Sequence, residues 1–268
     1  MLPEAVSANL KVAALVSIGQ HPKSGRARRA DQDARAVEMG IGLCGNKLNL
    51  VHAGETGSQE DLEQALRQYL GMGMTSMTVL RQPTGSDALP ALVSHFRDHS
   101  ADIILAGMRA ESGEASGMLP YLLADRLGLP LVPAVAEVLS INEREAEVLQ
   151  ALPRGQRRKL KVTVPFIATV DQAAQAPRQI AFGPSRRGSL DLEASVEQQD
   201  EEKAAWEESP ARKRPKRLNI KKAKTAADRF KAATAKPQGE GGRILKDESD
   251  REKAQAILDL LVSEGVIK

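Results

Sequence analysis

The sequence predicts an α/β protein with an open, mostly parallel sheet, helices on both faces, and an extended charged C-terminal arm that ends in a helix. Over about the first 190 residues, short aliphatic runs alternate with helical patterns, which is typical of such sheets. Several of the runs are apolar on both sides, as are strands buried within a parallel sheet. Beyond them the composition changes to long charged blocks, which mark the end of the predicted sheet.

Six aliphatic runs are predicted strands because each is short and apolar and is followed by a turn or a helical pattern. They cover residues 10–18, 47–54, 76–81, 101–107, 133–141 and 161–170.

Four predicted helices lie between these strands, each with apolar residues repeating at helical spacing. The spacing of Leu122, Leu123, Leu127 and Leu129 gives the last of them an apolar face that can pack on the sheet. The four helices cover residues 31–44, 58–73, 87–100 and 117–129.

The C-terminal region consists of an acidic block, a basic block, a linker and an amphipathic helix. Residues 192–210 are acidic, and residues 211–236 hold eleven Lys or Arg and one acid, Asp228. We therefore expect an α/β domain over 1–190, a charged arm or linker over 191–246, and an amphipathic helix over 247–268. The apolar positions of this helix are Ala254, Ile257, Leu258, Leu261 and Val262.

The composition excludes several classes of protein. Hydrophobic residues make up 41% of the 268 and aromatic residues 3%, so the core is aliphatic and base stacking on aromatic platforms is disfavoured. A single cysteine, Cys44, can form neither an internal disulfide nor a cysteine metal site, and we expect a packed thiol.

The apolar runs are all shorter than the roughly 18–20 residues that span a bilayer. The first ten residues lack the basic start and apolar centre of a signal peptide. We therefore expect a cytoplasmic protein that does not insert into a membrane.

The loop "GMRAESGEASG" (107–117) follows a predicted strand and precedes a predicted helix. In open α/β folds, free N–H groups and the dipole at such a helix start hold phosphates. The loop matches neither a Walker motif nor G-x-G-x-x-G, and ordinary turn chemistry is the alternative interpretation. Residues suited to an anion are Gly113, Gly117, Ser112, Ser116 and Arg109.

The sequence contains no recognisable catalytic constellation. His95 and His99 lie one turn apart on a predicted helix, a spacing that can hold a metal, but no cysteine or H-E-x-x-H motif accompanies them. We therefore expect no metal site and no acid–base catalyst of the chain's own, so the chain is not predicted to be an enzyme.

The order of several segments resembles the beta subunit of electron transfer flavoproteins. The resemblance covers nearly all of the predicted sheet region and the last helix, and it implies a Rossmann-like, adenine-nucleotide-binding fold. It implies that 1–190 is a nucleotide-binding-like domain and that the helix over 247–268 docks on a partner, the alpha subunit. The segments are "KVAALVSIGQHP", "DARAVEMGIGL", "LVHAGETGSQEDLEQALRQYLGMGMTSMTVL", "DIILAGMRAESGEASGMLPYLLADRLGLP", "KVTVPFIATVDQAAQAPRQ" and "EKAQAILDLLVSEGVIK".

The resemblance implies one subunit of a heterodimeric electron carrier. In that family FAD is held mainly by the alpha subunit, and the beta subunit holds AMP, or a second FAD in electron-bifurcating members. Electrons arrive from a flavin dehydrogenase and leave to a membrane quinone reductase, and the redox chemistry resides in the flavin.

The family's functional positions carry over to two places in this sequence. Ser116 and Gly117 stand where the family has Thr-Gly, whereas Ala115 replaces its Gln and the acidic triplet is missing. By position, the nucleotide would contact Leu15, Ser17, Ala53, Gly107, Glu114, Ala115, Ser116 and Gly117, and His21 would approach the FAD. Phe182, Gly183 and Pro184 occupy the partner-recognition segment, with a core position as the alternative for Phe182.

Two other functions remain open at this stage. One is a nucleotide-binding α/β regulatory protein that forms homodimers. The other is a nucleic-acid-binding protein that acts through the basic block 211–236, although the neighbouring acidic block could pair with that block instead.

Overall fold

The computed structural model describes residues 10–55, 60–142, 144–207, 209, 225–227, 245–246 and 248–263. The chain divides into two compact units, Met1–Glu207 and Glu208–Lys268. In the part of the chain that is described, no helix is long and apolar enough to cross a membrane.

A nine-stranded sheet forms the centre of the first unit, in the order β11-β5-β4-β1-β6-β10-β7-β8-β9. The strands from β11 to β7 pair in parallel, and β8 and β9 extend the sheet in antiparallel fashion. The strands are β1 Val12–Leu15, β4 Asn49–Gly54, β5 Ser76–Arg81, β6 Ile103–Gly107, β7 Leu131–Ile141, β8 Glu145–Ala151, β9 Arg157–Thr163, β10 Phe166–Val170 and β11 Ser189–Glu193. Strands β2 (Ile18–Gln20) and β3 (Ala27–Arg29) form a separate antiparallel hairpin.

Helices cover both faces of this sheet, which confirms the predicted fold class. Side chains of β1 alternate between two apolar clusters: Val12 and Ala14 pack with α1 and α2, whereas Ala13 and Leu15 pack with α3 and α4. The helices are α1 Asp31–Cys44, α2 Glu60–Leu70, α3 Ala88–Asp98, α4 Leu119–Leu127, α5 Phe182–Arg187 and α6 Glu201–Ala204.

The predicted strand 161–170 is wrong as a single element. Its first part belongs to β9, which pairs with β8, and its second part is β10, which lies between β6 and β7. Pro165 separates them, because proline has no N–H to donate to a ladder. The sequence also missed β8, whose charged residues Glu145 and Glu147 break up its apolar pattern.

The stretch after β11 remains attached to the sheet domain. The buried Gln82 side chain donates to Ser195 Oγ and to the Val196 carbonyl, and Asp200 N donates to the Gly85 carbonyl at 3.1 Å. Although the sequence placed the boundary between domain and arm at residue 190, these contacts place residues 191–207 with the α/β unit.

The second unit contains helix α7, Asp250–Ser263. Ser249 and Glu252 form a reciprocal capping box, in which Ser249 N donates to the Glu252 carboxylate and Glu252 N donates to Ser249 Oγ. Apolar side chains of α7 are exposed, namely Ile257, Leu258, Leu260 and Val262. The basic block 211–236, apart from residues 225–227, and the predicted linker 237–242 lie outside the described residues.

Candidate functional site

A cavity of about 600 Å³ opens at the carboxyl ends of β1, β4 and β6, beside the start of α4. The order of the strands reverses between β1 and β6, which is the point where open α/β sheets bind ligands. Apolar side chains from β4 and α3 form one wall of this cavity, among them Val51, Leu89 and Leu92.

Asp33, in the first turn of α1, lies in the crevice between β1 and β6. Its carboxylate accepts hydrogen bonds from the backbone N–H of Ser17 at 2.8 Å, from the Ser17 hydroxyl and from the backbone N–H of Gly107. A Cβ at position 107 would lie 2.3 Å from Asp33 Oδ1, so this close approach requires glycine. Asp33 therefore ties the ends of the two strands together at the cavity floor.

Burial is the main influence on the ionisation of Asp33. It raises the pKa of the carboxyl from 3.8 to about 6, against the hydrogen bonds from Ser17 and Gly107, and the Glu111 carboxylate raises it further. The Asp33 carboxyl therefore binds a proton more tightly than a solvent-exposed aspartate does.

Tyr69 of α2 holds the backbone beside Asp33 in place. Its hydroxyl accepts from Ala30 N and donates to the Ser17 carbonyl, both at 2.8 Å, and burial raises its pKa well above the ordinary value. The hydroxyl thus fixes the end of β1 against the start of α1. Sequence reasoning missed Asp33 and Tyr69 because a first-turn Asp and a Tyr on an apolar helix face carry no distinctive motif.

The loop before α4 has an unusual backbone. Gly113, Ala115 and Gly117 have φ values of 69°, 50° and 76°, in the left-handed region. A Cβ on Gly117 would lie 2.6 Å from the Met108 carbonyl oxygen, so only glycine fits there without a shift. The backbone of this loop therefore runs along the cavity.

Helix α4 begins at Leu119, two residues later than the sequence predicts. Ser116 Oγ accepts from Met118 N at 3.3 Å, and Pro120 lies in the first turn, where its missing N–H costs no helical hydrogen bond. The Ser116 hydroxyl and the backbone of the Gly117 region therefore stand at the start of the helix.

Glu111 attaches the same loop to the start of α1 and to β3. Its carboxylate accepts from Asp31 N at 2.8 Å, at the start of α1, and pairs with Arg28 Nη2 at 2.9 Å. Ser112 Oγ donates to the Ile18 carbonyl at 2.7 Å. The N-terminus of α1 thus holds one of the protein's own carboxylates.

Acidic side chains outnumber basic ones around the cavity. Asp87 and Asp200 cap α3 and α6 by accepting from Leu89 N and Lys203 N. This balance opposes ligands with several negative charges. The acids that line the cavity are Asp33, Asp87, Glu114, Asp200, Glu201 and Glu202, and the bases are Arg109 and Lys203.

The structure brings together most, but not all, of the predicted nucleotide contacts. Leu15 is buried in the core on the α3 side, and the exposed His21 lies in the turn between β2 and β3, where its Nδ1 accepts from Ser24 N at 3.2 Å. Neither lines the cavity. The predicted residues that do line it are Ser17, Ala53, Gly107, Glu114, Ala115, Ser116 and Gly117.

The predicted recognition residues lie in α5, the short helix before β11. Phe182 is its first residue and is 80% exposed, so the alternative that placed this side chain in the core is wrong. Gly183 and Pro184 follow in the first turn and are half-buried.

None of Cys44, His95 and His99 lines the cavity. Burial raises the pKa of the Cys44 thiol to about 11, against the nearby Lys47, so the thiol stays protonated. His95 stacks on His99 at 4.8 Å between ring centroids, and its Nδ1 lies 3.5 Å from a Glu193 carboxylate oxygen. Among the described residues, no three His, Cys, Asp or Glu side chains form a possible metal site.

Comparisons with known proteins identify the family. Residues 24–203 match the family described as "Electron transfer flavoprotein domain". The chain is 52% identical, over the full length of both proteins, to "Electron transfer flavoprotein subunit beta" of Chromohalobacter salexigens. It is 27% identical to the protein of the same name from Bacillus subtilis, over 88% of this chain and 86% of that one. With its parallel sheet and its cavity at the switch point, the chain belongs to the beta-subunit family of electron transfer flavoproteins.

Proposed function

We propose that this chain is the non-catalytic subunit of a heterodimeric electron carrier in the cytoplasm. Electrons pass from flavin dehydrogenases to a membrane quinone reductase through FAD that is held mainly by an alpha subunit. The observation that carries the proposal is the full-length likeness to a protein named as a beta subunit. FAD supplies the redox chemistry when bound, and this chain supports and orients the complex.

The cavity fits an adenine nucleotide with a single phosphate, such as AMP. Its volume of about 600 Å³ lies within the ordinary range for ligand sites, and the apolar wall around Val51 and Leu92 suits a base. The Asp33 carboxylate suits a hydroxyl donor such as a ribose. The Ser116 hydroxyl and the backbone near Gly117 suit a phosphate, because positive-φ loops and helix starts present N–H groups. The excess of acids disfavours di- and triphosphates.

Two exposed features suit the partners. The hairpin turn that carries His21 stands on the surface beside the carboxyl end of β1, where it can approach a flavin held by the alpha subunit. Phe182 projects from α5 as an aromatic anchor of the kind that dominates protein interfaces, and we assign it to the dehydrogenase contact.

Co-expression with the alpha subunit from the same organism tests this function. We expect the two chains to co-elute in gel filtration, with a visible flavin spectrum in the complex and no such spectrum for this chain alone. A chain that elutes alone and leaves the alpha subunit without flavin would contradict the proposal.

A further inference from the structure

The segment between β10 and α5 carries Phe182 to the surface, and contacts with α1 and α2 hold this segment in place. Residues 171–181 contain no helix or strand, so the chain enters α5 without a backbone ladder, whereas β11 pairs with β5 directly after α5. Before α5, side chains of α1 and β3 and one backbone hydrogen bond to Gly71 hold the chain in place.

Glu38 of α1 makes the most extensive of these contacts. It is only 7% exposed, and its carboxylate accepts from three donors of Arg178: the backbone N at 3.0 Å, Nε at 2.9 Å and Nη2 at 2.9 Å. Burial opposes its charge, yet the hydrogen bonds and charge of Arg178, with a contribution from Arg29, hold the pKa of Glu38 below its ordinary value. Glu38 is therefore ionised, and it binds both the backbone N–H and the side chain of Arg178.

Further hydrogen bonds fix the segment on both sides of Phe182. Before it, Arg29 Nη2 donates to the Arg178 carbonyl at 3.0 Å, and Ala181 N donates to the Gly71 carbonyl at 2.8 Å. After it, Arg67 Nη1 donates to the Gly188 carbonyl at 2.9 Å. The backbone on both sides of the exposed ring is therefore hydrogen-bonded to β3, to α2 and to the turn after α2, in addition to the contact from Glu38 of α1.

We infer that Glu38 is a positioning residue, which holds Phe182 ready for docking by clamping Arg178. An anchor on a fixed backbone loses less conformational freedom on binding than an anchor on a free loop, so preorganisation raises affinity. This inference rests on the proposed docking role of Phe182.

Spin labelling tests the clamp without a partner. In the full-length chain, Cys44→Ser removes the native thiol and Phe182→Cys accepts a nitroxide. We expect Glu38→Gln to shorten the rotational correlation time of the label about threefold, because side-chain and loop motion becomes faster when the backbone is released. Glu147→Gln is the matched control, since it removes an ion pair with Lys159 on the antiparallel edge of the sheet. An unchanged label spectrum in a folded Glu38→Gln variant would overturn the inference.

A milder variant keeps the test decisive if Glu38→Gln does not fold. Arg178→Lys retains a positive charge at a side chain that is 45% exposed, but it cannot reproduce the two guanidinium hydrogen bonds. In this variant we expect a label mobility between that of the labelled chain with Glu38 and Arg178 intact and that of Glu38→Gln. A mobility equal to that of the chain with both residues intact would count against the inference.

Kinetics of the complex separate the clamp from the docking role. With a co-purifying flavin dehydrogenase as donor, we expect Glu38→Gln to raise the KM for the heterodimer about three- to tenfold and to leave kcat unchanged. Phe182→Ala should raise the same KM at least as much. If Phe182→Ala has no effect, the docking role fails, and the label spectra still decide on the clamp.

Discussion

At the scale of single residues, Asp33 determines the shape and charge of the cavity floor. Its carboxylate joins Ser17 after β1 to Gly107 at the end of β6, and the missing side chain at 107 provides the space for this contact. Sequence reasoning found Ser17 and Gly107 through family positions, but it did not find the acid between them. The reason is physical: the contact depends on how α1 packs over the sheet, which no local pattern encodes.

Asp33 makes a specific contribution to the pH dependence of stability. Because burial raises the pKa of this carboxyl from 3.8 to about 6, the folded chain binds the proton more tightly than the unfolded chain does. The free energy of unfolding should therefore fall as the pH rises from 4 to 7, by on the order of 3 kcal/mol from this group. Asp33→Asn should remove this contribution.

Urea unfolding of the wild type and of Asp33→Asn at several pH values measures the effect. The unfolding free energy of the wild type minus that of the variant should decrease as the pH rises. Asp125→Asn, which removes an exposed carboxyl on α4, is the control. A difference for Asp33→Asn that stays constant between pH 4 and 7 would contradict the buried-acid account.

At the scale of elements, the sequence predicts the helices better than the edge of the sheet. Apolar periodicity gave α1 its observed bounds, 31–44, because that helix packs its whole length against the sheet. The antiparallel strands were harder to recognise. Strand β9 begins with three consecutive exposed bases, Arg157, Arg158 and Lys159, and has few apolar residues, because an edge strand faces water. The loop before α4 was recognised from its glycines, but its backbone shape was not.

The loop before α4 offers a paired test of the proposed nucleotide site. Gly117→Ala places a Cβ 2.6 Å from the Met108 carbonyl oxygen and distorts the loop, so we expect the purified heterodimer to lose most of its AMP and keep its FAD. Gly155→Ala is the matched control: it has the same φ of 76°, with nothing within 4 Å of the new Cβ, in the turn between β8 and β9. Acid release and chromatography of nucleotides give the readout. Equal AMP in both variants would remove the loop from the site.

At the scale of the whole molecule, apolar side chains are exposed in both units. Phe182 in the first unit and Ile257 and Leu260 in the second expose more than half of their surface to solvent. Because burial of apolar surface drives association, these groups are candidate contacts for the proposed partners. Function at this scale could not be predicted from periodicity or composition. It came from the resemblance of ordered segments, and the family match supports it.

The measurement that tests the central claim most directly is the nucleotide content of the complex with the alpha subunit. Acid release from the purified heterodimer, followed by chromatography, should give one FAD and one AMP for each pair of chains. A result of two FAD would mean that a second flavin, and not AMP, occupies this cavity. One FAD and no other nucleotide would contradict the assignment of a nucleotide to the cavity. A preparation with no flavin and no stable heterodimer would contradict the electron-carrier account as a whole.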